Sequence, residues 1–178
     1  MAAHEVHVRQ AVDSDARGIA RVHVDSWRST YAGILPAEHL AALDYDRREA
    51  NWQRIVADRR QNMFVAEDRD ARIVGFSSGG PERSNDPAYP AELYAIYLLE
   101  SWQGLRLGRR LVAALADWFI SRGWRSMLLW VLEDNPSRGF YEALGGVQIK
   151  QEPVAIGGTE LVEIAYGWPD ISPLTTAS

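Results

Sequence analysis

The spacing of apolar residues changes period several times along the chain, and each change predicts an element. Val6, Val8 and Val12 alternate with polar neighbours over residues 6–12, which predicts a first strand. Asp13, Ser14 and Asp15 supply capping side chains ahead of a segment that sets Ile19, Ala20, Val22 and Trp27 on one helical face. Pro36 opens a second helical stretch running irregularly to about Val56. Residues 62–67 and 71–78 read as a hairpin around Asp68 to Asp70, and Gly79 to Pro90, rich in proline and glycine, reads as a loop. Residues 92–99 form a mainly apolar strand, 100–104 a turn, 105–121 an amphipathic helix with Leu107, Leu111, Leu115 and Trp118 on one face, and 126–132 a second buried strand. Strand, helix and strand in that order make a βαβ unit with parallel strands and a right-handed crossover. A short helix after Pro136 ends at Gly145-Gly146, and strands 147–156 and 159–167 meet at Gly157-Gly158. The order predicts an α/β protein with a mixed sheet.

Composition narrows the class. At 178 residues, 47% hydrophobic and 24% charged, one domain over residues 1–171 is expected, with Ser172 to Ser178 as a flexible tail. The net charge of −5 argues against nucleic-acid binding, which needs clustered cations. His, Glu and Arg within the first ten residues exclude a secretory signal, and no apolar run approaches the ~18 residues of a membrane span, so a cytoplasmic protein with no membrane partner is expected. Cysteine is absent, which excludes disulfides, thiolate metal sites and a thiol nucleophile together. Seven tryptophans leave apolar surface enough for a homodimer.

The most informative segment is Gln103-Gly104-Leu105-Arg106-Leu107-Gly108-Arg109-Arg110, at the junction of the first βαβ strand and its helix. A helix start presents unpaired N–H groups and the positive end of the macrodipole, so three arginines there oppose the dipole by about 0.3–1 kcal/mol each when exposed. A bound polyanion reverses that sign. Two readings fit: a solvated basic helix start with turn-forming glycines, or a pyrophosphate site with amides, small residues and a cationic rim. The Gly-Lys-Ser/Thr of a Walker loop and the three spaced glycines of a dinucleotide fingerprint are both missing.

This segment resembles the Q/R-x-x-G-x-G/A acetyl-CoA loop of the GNAT N-acetyltransferases. Leu93 to Leu98 stands where that family's central strand precedes the loop, Asn135 follows the next strand, and Phe140-Tyr141-Glu142-Ala143-Leu144-Gly145-Gly146 is similar to the family's F-Y-x-x-x-G-F ending. Two positions depart from the pattern: Arg106 replaces the first loop glycine and Gly146 the last aromatic. If the loop needs φ > 0, Arg106 costs about 1–2 kcal/mol, unless the turn is helical there or reshaped.

The resemblance implies a single-domain GNAT fold, a mostly antiparallel mixed sheet whose central parallel βαβ unit carries the loop. It also implies acetyl transfer from acetyl-CoA to an amine-bearing small molecule or peptide. The resemblance implies direct transfer without a covalent enzyme intermediate, and the absence of cysteine excludes a thioester on the protein. Leu98, Leu99, Gln103, Gly104, Leu105, Arg106, Leu107, Gly108, Arg109, Asn135, Arg138 and Tyr141 are the implied cofactor contacts, with a backbone N–H near Leu98 for the oxyanion. Glu92, eleven residues before Gln103, is the implied base, because a mostly protonated amine must lose a proton before it attacks; a plain water-facing glutamate is the alternative. Tyr141 is the implied donor to the leaving thiolate, or a packing residue. Asn135 suits pantetheine positioning or a helix cap. His23, Trp27 and Tyr31 share a helical face that is either core or pocket, with Trp27, Tyr31 and Glu92 the candidate acceptor contacts.

Other readings compete with this one. Gly75-Phe76-Ser77-Ser78-Gly79 fits G-x-S-x-G, but prolines follow where a helix is needed and all four histidines precede Ser77, so a hydrolase is rejected. His4-Glu5-Val6-His7 is one residue short of a helical zinc pair, and no metal is expected. A catalytically silent acyl-CoA sensor or interaction module has the same loop, yet has no need of both Glu92 and Tyr141.

Overall fold

The computed structural model describes residues 5–176; residues 1–4, His4 among them, and 177–178 lie outside the described residues. Seven strands form one sheet in the order β1-β2-β3-β4-β5-β7-β6, where β1 is Val6–Gln10, β2 Asn62–Asp68, β3 Ile73–Pro81, β4 Ala91–Leu98, β5 Met127–Leu132, β6 Val147–Ile156 and β7 Thr159–Trp168. Every neighbouring pair is antiparallel except β4–β5, the two strands of the expected βαβ unit. The helices are α1 Ala16–Thr30, α2 Ala37–Ala41, α3 Tyr45–Ala57, α4 Leu107–Ser121 and α5 Arg138–Ala143.

The two faces of the sheet are covered by different helices. On one face α1 and α3 bury Ile19, Val22 and Trp52 against Val65, Ile73 and Phe76. On the other, α4 buries Leu115 and Phe119 against Leu93, Met127 and Leu129. At about 25 cal/mol per Å² of apolar surface removed from water, these two layers supply the main folding drive. No helix among the described residues is long and apolar enough to cross a membrane.

Four expected boundaries are corrected by the structure. The stretch from Pro36 to Val56 is two helices, because Asp44 caps α3 by accepting from the Arg47 N–H at 2.8 Å and breaks the run. The loop expected from Gly79 begins after Pro81: without a Cβ, Gly79 lets β3 continue where an added methyl would lie 2.7 Å from the Glu92 carbonyl and the Phe119 ring. Helix α4 starts at Leu107 rather than 105, because Arg106 has φ 61° and ψ 10°. The tail expected to be flexible from Ser172 begins as a 3-10 turn, Ser172–Leu174, with Leu174 buried in the α4 layer.

The missing aromatic at Gly146 also has an explanation. A Cβ at Gly146 would lie 2.5 Å from the Trp168 ring, so an indole from β7 fills the space, and its N–H donates to the Leu144 carbonyl at 3.0 Å.

Candidate active site

Strands β4 and β5 pair only at Ala91–Met127 and Glu92–Leu128, then diverge. A bulge accompanies the divergence: Ser78 faces Ala95 while Gly79 faces Leu93, so Tyr94 is an extra residue in β4 and the strand bends there. Past the bulge, the Leu99 N–H donates to the Val74 carbonyl at 3.0 Å, on the β3 side. Alternation along the strand therefore turns the Leu98 N–H toward the opened β5 side. The Leu98 carbonyl shares that side, accepting from Ser26 Oγ at 3.2 Å and Gln103 Nε2 at 3.3 Å.

The loop follows directly. Gly104 has φ 75°, a conformation glycine adopts without strain, and Arg106 adopts the left-handed region despite its side chain. The expected alternatives, a helical or reshaped turn, are not adopted; the turn keeps its left-handed residue and the arginine bears the strain. The first helical bond of α4 is Arg110 N–H to Arg106 O at 3.2 Å, so the N–H groups of Leu107, Gly108 and Arg109 come before it and face outward along the axis. Arg110 is occupied, donating to the Val6 carbonyl at 2.9 Å, whereas Arg106 and Arg109 stay exposed at the positive end of the helix. Gly108 is small for a packing reason: a Cβ there would lie 3.0 Å from the Phe140 ring.

A groove of about 400 Å³ runs along this loop, lined by Leu98, Gln103, Gly104, Arg106, Gly108 and Arg109, with Leu107, Phe140 and Tyr141. A second cavity of about 180 Å³ lies on the α1 side, lined by Trp27, Tyr31, Tyr97, Trp130, Asn135 and Glu163 among others. Ile96, Leu98, Gln103, Ser137 and Tyr141 line both, so the two spaces meet where β4 and β5 part. The groove has amides, guanidinium groups and an apolar wall, which suits an elongated anion with an apolar arm; the cavity joins five aromatic side chains to aliphatic and polar ones and one carboxylate.

Tyr141 stands at the junction. It is buried on α5, yet its hydroxyl bonds to no described residue and is absent from the fully enclosed unpartnered atoms, which places it open to the cavities. Burial pushes its phenol well above the ordinary tyrosine value, and the Tyr97 and Tyr31 hydroxyls add to the shift. Asn135 is also buried; it donates to the Tyr31 hydroxyl at 3.0 Å and accepts from the Ser137 N–H at 2.8 Å, so it both positions Tyr31 and shapes the turn into α5.

Other expected site residues sit differently. Glu92 lines neither space; Arg83 Nη2 donates to one of its oxygens at 2.6 Å, and Arg83 Nε and backbone N–H donate to the other at 3.1 Å each. Arg138 turns to the Tyr166 hydroxyl at 3.1 Å and the Glu133 carbonyl at 3.1 Å, away from the loop. Leu99 packs with the core under β4, and the Leu105 side chain is exposed. Of the helical stripe, Trp27 and Tyr31 reach the cavity, but His23 belongs to the core: its Nδ1 accepts from the Trp52 indole at 3.1 Å, and burial with the nearby Arg48 charge pushes it down to about 3. Ser77 of the G-x-S-x-G match is fully buried and donates to the Leu111 carbonyl at 3.2 Å, which removes the nucleophile elbow. Trp130 and Glu163 were not anticipated. Trp130 carries no signal within the apolar run of β5, whereas Glu163 interrupts the apolar run of β7.

Arg106 gives a direct test of the strained turn. Changing Arg106 to Gly is expected to raise the melting temperature by about 2–4 °C, since relief of roughly 1 kcal/mol shifts a chain of this size by that amount. Calorimetric scans of the two proteins check it; an unchanged or lowered midpoint would show that the arginine side chain stabilises the fold by at least as much.

Comparison with known proteins places this architecture. Residues 22–146 match the acetyltransferase (GNAT) family. The N-acetyltransferase YuaI of Bacillus subtilis strain 168, itself uncharacterised, is 43% identical over 171 residues, covering 96% of this chain and 97% of that protein. Among solved structures, the PaiA N-acetyltransferase of Thermoplasma acidophilum in complex with coenzyme A superposes with a TM-score of 0.69 at 17% identity, covering 90% of this chain and 98% of that one. YncA of Salmonella typhimurium, solved with its cofactor acetyl-CoA, gives a TM-score of 0.69 at 22% identity, covering 92% and 93%. With the family matched over most of the length, and a relative aligned nearly end to end, the chain belongs to the acetyltransferase (GNAT) family.

Proposed function

We propose that the protein transfers an acetyl group from acetyl-CoA directly to an amine. The observation that carries this reading is the meeting of the anion-suited groove and the aromatic cavity at Leu98 and Tyr141. Two substrates entering from opposite sides of the parted strands would bring a thioester and an amine together there. That two structural neighbours were solved with coenzyme A or acetyl-CoA supports the choice of donor.

In this reading the amides of Leu107, Gly108 and Arg109 hold the diphosphate, with Arg106 and Arg109 compensating its charge. The Leu98 N–H, on the opened edge of β4, donates to the acetyl carbonyl oxygen as negative charge develops on it. The amine nitrogen forms the new C–N bond, the C–S bond breaks, and the sulfur leaves as a thiolate that ends protonated. Tyr141 stays protonated at neutral pH because burial raises its phenol. It therefore serves as a hydrogen-bond donor to the departing sulfur rather than surrendering its proton outright, since a thiol at about 8.5 is the stronger acid. Glu92, clasped by Arg83 through both oxygens, acts in this scheme by fixing the segment after β3 against β4.

The reaction is tested by following free thiol released from acetyl-CoA in the presence of a panel of amines. Amine-dependent release is expected. Tight coenzyme A binding with no amine-dependent release across a broad panel would replace the transferase with the acyl-CoA sensor.

A further inference from the structure

We propose that Glu163 receives the acceptor's ammonium group and takes its proton, and that the acceptor is a small primary amine with an aromatic or alkyl body and no carboxylate. This rests on the transferase reading above and adds the acceptor class and the base to it.

Glu92 and Glu163 differ in their bonding. Glu92 has both oxygens taken by Arg83. Glu163 lies on the same face of the sheet two strands away, is half-buried and lines the cavity that Tyr141 also lines, and its carboxylate accepts no hydrogen bond from a described residue. A carboxylate left open in an aromatic space is what an ammonium group needs. Trp27, Tyr31 and Tyr97 line the same cavity, and aromatic surfaces favour a cation; Trp130 lines it too and already carries the Lys150 ammonium 5.5 Å from its ring centroid.

The same lining restricts the acceptor. No lysine, arginine or histidine lines the cavity, so an acceptor carboxylate would meet Glu163 with no cation in the lining to pair with. At about 180 Å³ the space is smaller than the several hundred Å³ of sites for drug-sized ligands, which suits one ring or a short chain.

The surroundings also make Glu163 a usable base. Burial raises its carboxyl above the ordinary glutamate value, Glu152 directly opposite on β6 and Glu92 on β4 raise it further, and Arg83 opposes them. The neighbouring Lys150 is held by Asp86 at 3.0 Å, and the cavity phenols Tyr31, Tyr97 and Tyr141 are all shifted upward and stay neutral. A carboxyl raised in this way lies closer than an ordinary glutamate to the value that suits proton transfer. The Glu163 carboxylate takes a proton from the ammonium, leaving a free amine in the cavity that Leu98 and Tyr141 also line, and the protonated carboxyl then passes that proton to water.

The test compares 2-phenylethylamine with phenylalanine, which differ only by the carboxylate, as acceptors for the wild-type protein and for Glu163→Gln. Turnover is read as thiol release, and binding to the protein loaded with coenzyme A is read by tryptophan fluorescence. The wild type is expected to prefer 2-phenylethylamine, and Glu163→Gln to lose about 100-fold in kcat/KM for it. Acetyl-CoA affinity should be unchanged. The variant should melt no lower than the wild type, because the Glu152–Glu163 opposition is gone. The rising acid limb of kcat/KM against pH, present in the wild type, should vanish in the variant. Equal or better use of phenylalanine, absence of 2-phenylethylamine binding, or full activity in the variant overturns the proposal. Loss of acetyl-CoA binding by the wild type would instead sink the transferase reading itself.

Discussion

Replacing Tyr141 by Phe is expected to lower kcat about 100-fold while leaving acetyl-CoA affinity within about twofold, the usual consequence of losing one donor aimed at developing charge. The ring is packed against Phe140 and Tyr166, at centroid distances of 5.4 and 6.2 Å, and phenylalanine keeps those contacts. Only the hydroxyl is lost, and it bonds to no described residue, so the substitution strands no buried partner. Stopped-time thiol assays at saturating acetyl-CoA, with binding measured separately, check it. Undiminished turnover would leave Tyr141 a packing residue and nothing more. A fall in affinity equal to the fall in kcat would mean that the hydroxyl binds the donor in its ground state.

The second large effect concerns the loop. Valine in place of Gly108 is expected to weaken coenzyme A binding about 100-fold, because the added carbons fall on the Phe140 ring and fill the groove beside the helix-start amides. Overpacking of this kind costs about 1–3 kcal/mol, and tenfold in affinity is about 1.4 kcal/mol. Alanine at the same position is expected to show a milder loss, since Phe140 need yield only a few tenths of an ångström. Titration calorimetry on both variants, each checked for cooperative melting, gives the comparison. Retained affinity in the valine variant would place the ligand elsewhere.

What was legible in the sequence was local or periodic. The βαβ unit could be read because an apolar strand, an amphipathic helix and a second apolar strand follow one another within a short stretch, and the basic glycine-containing turn between them stands out on the same line of text. The groove along Gln103 to Arg109 is that turn with its helix attached. Features that depend on a distant partner were not legible. Glu92 and Arg83 come together because the segment after β3 folds back on β4, and only the folded chain shows that Glu92's oxygens are taken. Glu163 reaches the cavity through the pairing of β7 with β5, which sets it opposite Leu132. Arg138, beside the cofactor segment in sequence, is drawn off by the Tyr166 hydroxyl of β7. Arg106 falls between: its departure from glycine was visible, but the choice between a reshaped turn and a strained arginine depended on the backbone angle of 61°.

The proposed transfer depends on the amides opening α4 holding the diphosphate of coenzyme A. Backbone amide resonances followed during a coenzyme A titration test it most directly. The largest shifts are expected at Leu107, Gly108 and Arg109, with Gly104 close behind, and they should shrink sharply when pantetheine, which lacks the diphosphate, replaces coenzyme A. Shifts confined to another surface, or equal shifts with pantetheine, would contradict the account.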